Sequence, residues 1–173
     1  MRNDLDALGL SAFVVATFAA ALVVPDVSLA LVGQPVFHAV VASAVVLTLV
    51  TVVRARGPRG SRLERAAMAL FLSLMPTIYL MSWLRFGGGG EWLLTELAGQ
   101  VVFAALAIAG YRRWPWLLVL GIGGHGLLWD AWHYGRTPFM PAWYAIFCAV
   151  VDVGLAIYVA TQVRAWQESR GAS

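Results

Sequence analysis

The sequence predicts an all-α protein: a polytopic bundle of six transmembrane helices with both termini in the cytoplasm. Three observations predict it. Of 173 residues, 61% are hydrophobic and 12% charged, whereas soluble domains run near half apolar and about a quarter charged. So little polar surface cannot cover a water-soluble globule, and the bilayer must solvate most of the chain. Apolar runs recur along its whole length, each close to the roughly 20 residues that span a bilayer. Arginines gather in alternate connections between those runs.

The segments are read as one integral membrane domain over 1–173. The first runs over about 7–24 and ends at Pro25-Asp26. Ser28-Leu29-Ala30 resembles a signal-peptide cleavage site, but the leader Met1 to Asp6 carries no net positive charge, so this segment is read as a retained span. The second covers 33–53. The third covers 63–86 and contains Pro76, which removes one intrahelical hydrogen bond and predicts a kink. Gly87 to Gly90 form a slack connector to the fourth, 91–110. The fifth covers 116–134. Its glycines, Gly121, Gly123, Gly124 and Gly126, superficially match a dinucleotide fingerprint, but no strand precedes them. In a membrane helix they predict close packing against a neighbour and a loosened helix beside His125. The sixth covers 141–163. Short connections make neighbouring segments antiparallel.

Arginine placement sets the orientation. One side receives Arg2, Arg54, Arg56, Arg59, Arg62, Arg65, Arg112, Arg113, Arg164 and Arg170, and the other only Arg85 and Arg136. The arginine-rich side is therefore cytoplasmic. The loop from Arg54 to Arg65 reads first as a topology determinant and would also meet anionic headgroups. Trp83, Trp92, Trp132, Tyr134, Trp143 and Tyr144 fall near outer helix ends, and Tyr111, Trp114, Trp116 and Trp166 near inner ends, as interfacial belts. Composition suggests a GC-rich bacterial source, hence a plasma-membrane location.

Several chemistries are excluded. The chain has no lysine, which rules out Schiff-base retinal or pyridoxal phosphate chemistry. Arginines confined to short loops do not indicate nucleic-acid binding. Cys148 is the single cysteine, so no internal disulfide exists.

Against this apolar background His38, Glu96, His125, Asp130, His133 and Asp152 stand out, with Glu91 at the rim. Ionisable side chains inside membrane helices are costly and usually face the protein interior. At 1.5 Å per residue, His38, Glu96 and Asp130 lie roughly 7 Å below the outer helix ends, and His125, Gln100 and Asp152 roughly 15 Å. Asp130 and His133, three residues apart, present the spacing with which one helix offers two side chains to a metal. Asp130, His133, Glu96 and His38 are the expected ligand set for a divalent ion, zinc or iron. His125 and Asp152, expected to face each other at one depth, would orient that set or relay protons. Trp129, Trp132 and Trp143 would wall it with apolar surface.

The block H-x4-D-x2-H with P-x-W-Y-x3-C-x3-D, running from His125 to Asp152, resembles a signature of small, uncharacterised bacterial multipass membrane proteins, to which no activity attaches. In residue kind, three histidines plus acids also resemble the zinc-dependent intramembrane lipid hydrolases of the ceramidase and adiponectin-receptor type. Those have seven helices and histidines paired four residues apart, while His125 and His133 are eight apart.

Three functions fit these features. One is a metal-dependent enzyme acting on a lipid or other apolar substrate. Another is a small transporter or proton-coupled carrier, although no inverted repeat is visible. The last is an accessory subunit whose polar network only holds the bundle together or docks a membrane partner. Membrane lipids, a lipid-like substrate, and a second copy or another membrane protein are the expected partners.

Overall fold

The computed structural model describes residues 62–171, together with Val45, Val46, Thr48, Val50, Thr51 and Arg54. Apart from those positions, the expected segments at 7–24 and 33–53 lie outside the described residues, and so does His38. Everything described is helix and connection, with no strand. Helix α1 is Arg62–Phe86 and α2 is Gly90–Arg112. The fifth apolar segment is built in three pieces: α3, Trp116–Gly124; a π-helical turn, His125–Asp130; and α4, Ala131–His133. Helix α5 is Ala142–Gly171, extending past the expected end at 163.

Local chemistry explains the boundaries. Helix α1 opens with Glu64 in its first turn and closes with Arg85 in its last, as the helix dipole favours. Gly87, at φ 78°, follows it and donates its N–H to Trp83 O at 2.8 Å. That left-handed conformation suits glycine and stops the helix. Gly135, at φ 67°, does the same after α4. Pro76 sits within α1.

Among the described residues three helices, α1, α2 and α5, are long and apolar enough to cross a membrane. Their outer faces agree. Leu63, Leu70, Met81 and Leu84 on α1, and Leu94, Val101, Val102 and Ile108 on α2, are all exposed. Water-soluble monomers rarely show an apolar surface so continuous. Against lipid it carries no penalty.

Because lipid tails are as apolar as leucine, close packing and hydrogen bonds must hold the helices together. The interior is Leu72 and Met75 of α1, Phe103 and Ala107 of α2, Leu118 and Ile122 of α3, and Leu155 and Val159 of α5. Gly121 seats Leu72 where any side chain would collide with it. At the arginine-rich end, Glu64 accepts hydrogen bonds from the Tyr158 hydroxyl and from Trp166 Nε1 (3.0 Å). Arg65 donates from Nε to Gly110 O (3.2 Å) and from a terminal nitrogen to Tyr111 O. These contacts tie α1 to α5 and α2 at that end. Midway along, Thr77 Oγ1 donates to Gln100 Oε1 (2.8 Å), and Gln100 Nε2 donates to Ser73 O (2.9 Å) in the turn before Pro76. Gln100 thus bonds α2 to α1.

Candidate functional site

Five buried ionisable side chains gather toward the ends of the helices opposite that arginine-rich side: Glu96 of α2, His125 and Asp130 of the π-helical turn, His133 of α4 and Asp152 of α5. All are 2% exposed or less.

The π-helical turn decides which of them meet. In an α-helix, residues five apart point roughly 140° apart around the axis, while residues four apart share a face. With hydrogen bonds running i to i+5, the fifth residue returns to the starting face. His125 and Asp130 are five apart, and here they converge, with His125 Nδ1 3.5 Å from Asp130 Oδ2. The turn lies directly after the glycines of α3, where intrahelical propensity is weakest. Gly126 lets it settle against α5. A Cβ there would stand 2.7 Å from Asp152 Cβ and 3.1 Å from Ala149 O.

That close approach delivers Asp152. His125 Nδ1 and Asp152 Oδ2 are 2.8 Å apart, the facing contact that equal depth leads one to expect. One ligand atom each from His125, Asp130 and Asp152 lies within 4.8 Å of the others. Tyr79 of α1 completes the surroundings by donating its hydroxyl to Asp130 Oδ1 at 2.9 Å. Two atoms of the cluster have no hydrogen-bond partner: Asp130 Oδ2 and His125 Nε2. At 3.5 Å, the approach of Asp130 Oδ2 to His125 is thus an electrostatic contact and not a hydrogen bond.

Glu96 and His133 form a second, separate unit. His133 Nε2 lies 2.7 Å from Glu96 Oε1, and His133 Nδ1 lies 2.8 Å from Trp129 O. A backbone carbonyl can only accept, so Nδ1 carries a hydrogen. One further proton is then shared between Nε2 and Glu96, as an imidazolium–carboxylate pair or as a neutral pair bonded by the carboxylic acid. Four aromatic rings enclose this imidazole, with centroids at 4.3 Å (Tyr79), 4.9 Å (Trp129), 4.9 Å (Trp132) and 5.9 Å (Trp92).

The expected ligand set is therefore divided. Asp130 turns to His125 and Asp152, Glu96 and His133 bond each other, and His38 lies outside the described residues. Trp129 and Trp132 line His133. Sequence reasoning missed Tyr79. Its signal was a hydroxyl inside an apolar span, seven residues from the end of α1 and so at about the depth of Asp130.

Apolar space flanks the cluster. A cavity of about 180 Å³ between α1 and α5 has His125 and Asp152 on its wall. An open groove of about 630 Å³ between the 127–134 stretch and α5 has Asp130 on its wall.

No family model, curated protein or solved structure matches the chain. Its class rests on the fold and the cluster alone. Among the described residues, three helices long and apolar enough to cross a bilayer, with apolar outer faces, suggest a membrane protein, and a buried histidine–aspartate cluster is compatible with one. Its histidine–aspartate group is of a kind that can hold a metal ion.

Proposed function

We propose that this chain is a metal-dependent membrane enzyme acting on a lipid or similarly apolar substrate. In this reading His125, Asp130 and Asp152 hold a divalent ion, zinc or iron, in the outer half of the bilayer. One observation carries it: three potential ligand atoms converge within 4.8 Å in a fully buried place, while Asp130 Oδ2 has no hydrogen-bond partner. An unpaired buried carboxylate oxygen is costly, and at Asp130, unlike at Glu96 whose Oε2 is also unpaired, two further potential ligands lie beside it.

The spacing suits an ion. Two ligands at about 2.0 Å from a tetrahedral zinc stand roughly 3.3 Å apart. The 3.5 Å from His125 Nδ1 to Asp130 Oδ2 fits that figure. The 2.8 Å to Asp152 Oδ2 is a hydrogen bond that would open slightly as its proton leaves. Bound there, the ion would supply Lewis-acid activation of water. The residues of the chain would hold it, with Tyr79 fixing the Asp130 carboxylate from behind, and the apolar walls would keep bulk water out.

The membrane setting belongs to the same proposal. The chain spans six times with both termini cytoplasmic, in a bacterial plasma membrane. The ten-to-two arginine asymmetry supports this. The continuous helical stretch 116–133 would be a span in its own right, about 27 Å long at 1.5 Å per residue.

Elemental analysis of the purified chain is the test. About one ion per chain is expected, falling to background in Asp130→Asn and in His125→Ala. A parent protein without metal sinks the proposal. One observation favours a second reading as a proton-coupled carrier: the proton shared by Glu96 and His133 sits one ring contact, through Tyr79, from Asp130. Proton uptake by metal-free protein in liposomes would favour the carrier.

A further inference from the structure

The His125–Asp130–Asp152 cluster is a partition between two apolar spaces. The smaller, about 180 Å³, lies on the α1 side, where Phe71, Leu74, Met75, Phe147 and Cys148 line it and His125 and Asp152 close it. The larger, about 630 Å³, is the groove on the opposite side of α5. Leu127, Ala131, Ala145, Ala149 and Val153 line it, and Asp130 is the carboxylate on its wall, with the Tyr134 phenol beside it. Ala131, Ala145 and Ala149 are what make this second space, because alanine at these positions leaves a trough between the two helical stretches. His125 on the wall of one space and Asp130 on the wall of the other stand 3.5 Å apart.

We infer that the site receives a lipid with one polar linkage, an ester or an amide, and an apolar group on each side of it. The linkage sits at the cluster, a long chain lies in the groove, and a short group enters the cavity. This rests on the enzyme reading and names its substrate class.

Three features argue for that shape. Both spaces are lined mainly by apolar side chains, with one tyrosine in each, Tyr144 in the cavity and Tyr134 in the groove, so a headgroup with charges or several hydroxyls finds few partners in either. Of the five buried side-chain polar atoms without partners among the described residues, two, Asp130 Oδ2 and His125 Nε2, belong to the partition itself, so one polar linkage between two apolar arms matches the polarity there. The volumes differ. A cavity of about 150 Å³ accepts a benzene ring, so 180 Å³ suits a group of about six carbons. The groove is open along its length and takes a chain from the bilayer with no such limit.

Cys148 supplies the test, because the only cysteine of the chain lines the small cavity. The full chain in detergent is mixed with a long-chain acyl ester of a short alkanol that carries a diazirine in the long chain. Photocrosslinks are expected at Ile146, Ala149, Val150 or Val153. The ester should also slow N-ethylmaleimide labelling of Cys148 about tenfold, while an alkane of equal length should not. Ala149→Phe, or Ala131→Leu if that variant elutes abnormally, should remove the groove crosslinks and leave uninhibited Cys148 labelling as in the parent. Crosslinks spread evenly over α1 and α2, or equal protection by the alkane, would overturn the inference.

Metal content measured on the same samples separates the two proposals. Metal without localised crosslinks leaves the metal reading standing and removes this one. Localised crosslinks and selective protection without metal do the reverse.

Discussion

At Asp130 one carboxylate faces two directions. Oδ1 accepts from Tyr79 at 2.9 Å, and Oδ2 points at His125 with no bond of its own. Tyr79→Phe would leave both oxygens unpartnered in a buried place. We expect it to cost about 1–3 kcal/mol, seen as a lower melting temperature in detergent, and to weaken any bound metal about tenfold. A variant melting with the parent would show that the hydroxyl does not hold the carboxylate. Glu96 gives the contrasting case. Its removal in Glu96→Ala deprives the proton-sharing His133 of its partner and should cost about 3–5 kcal/mol. Metal content should nevertheless match the parent, because Glu96 is not among the converging atoms. Loss of metal in Glu96→Ala would return Glu96 to the ligand set. The partners involved show what could be read in advance. That His125 and Asp152 face each other follows from depth alone. That Asp130 bonds Tyr79 does not, because Tyr79 lies 51 positions away on a helix whose rotation no local pattern fixes.

The π-helical turn is the element on which the cluster depends. It returns Asp130 to the face of His125, and it approaches α5 only because Gly126 has no side chain. Gly126→Val should push the turn from α5, since even its Cβ would meet Asp152 Cβ and Ala149 O. Loss of metal and a destabilisation of about 1–3 kcal/mol are expected. Gly124→Ala is the control: nothing lies within 4 Å of a Cβ there, so it should be neutral or stabilising by about 0.5–1 kcal/mol. Equal effects from the two substitutions would mean that helix propensity, and not contact with α5, governs the turn. The glycine run was visible in the sequence, and a loosened helix beside His125 was a fair expectation. The size of the offset was not. A single inserted residue per turn changes which side chains meet while leaving composition and hydropathy the same.

For the molecule as a whole, arginine asymmetry makes a directional prediction. Reporter domains fused after Gly89 or Thr137 should signal the outside, and one fused after Gly60 the inside. An outside signal at Gly60 would reverse the protein and move its cluster to the cytoplasmic leaflet. The buried network at the opposite end makes a second prediction. Glu64 joins Tyr158 and Trp166 of α5 to α1, so Glu64→Ala should lower stability by about 3–5 kcal/mol without altering metal content. A change in metal there would show that the two ends are coupled.

Helicity, the starts of α1, α2 and α5 and the apolar character of their outer faces can all be read along the chain. Those properties depend on runs of apolar residues, on glycine and proline stops and on charge counts, all of which are local. The sequence also requires that polar side chains seek one another, because lipid offers them nothing. Which ones meet depends on how the helices pack. Glu96 takes His133 and Asp130 takes His125, Asp152 and Tyr79 because of one π-helical offset and one glycine contact. Partner choice inside a bundle depends on helix rotation, which is set by packing across helices distant in sequence and leaves no periodic trace in any one of them.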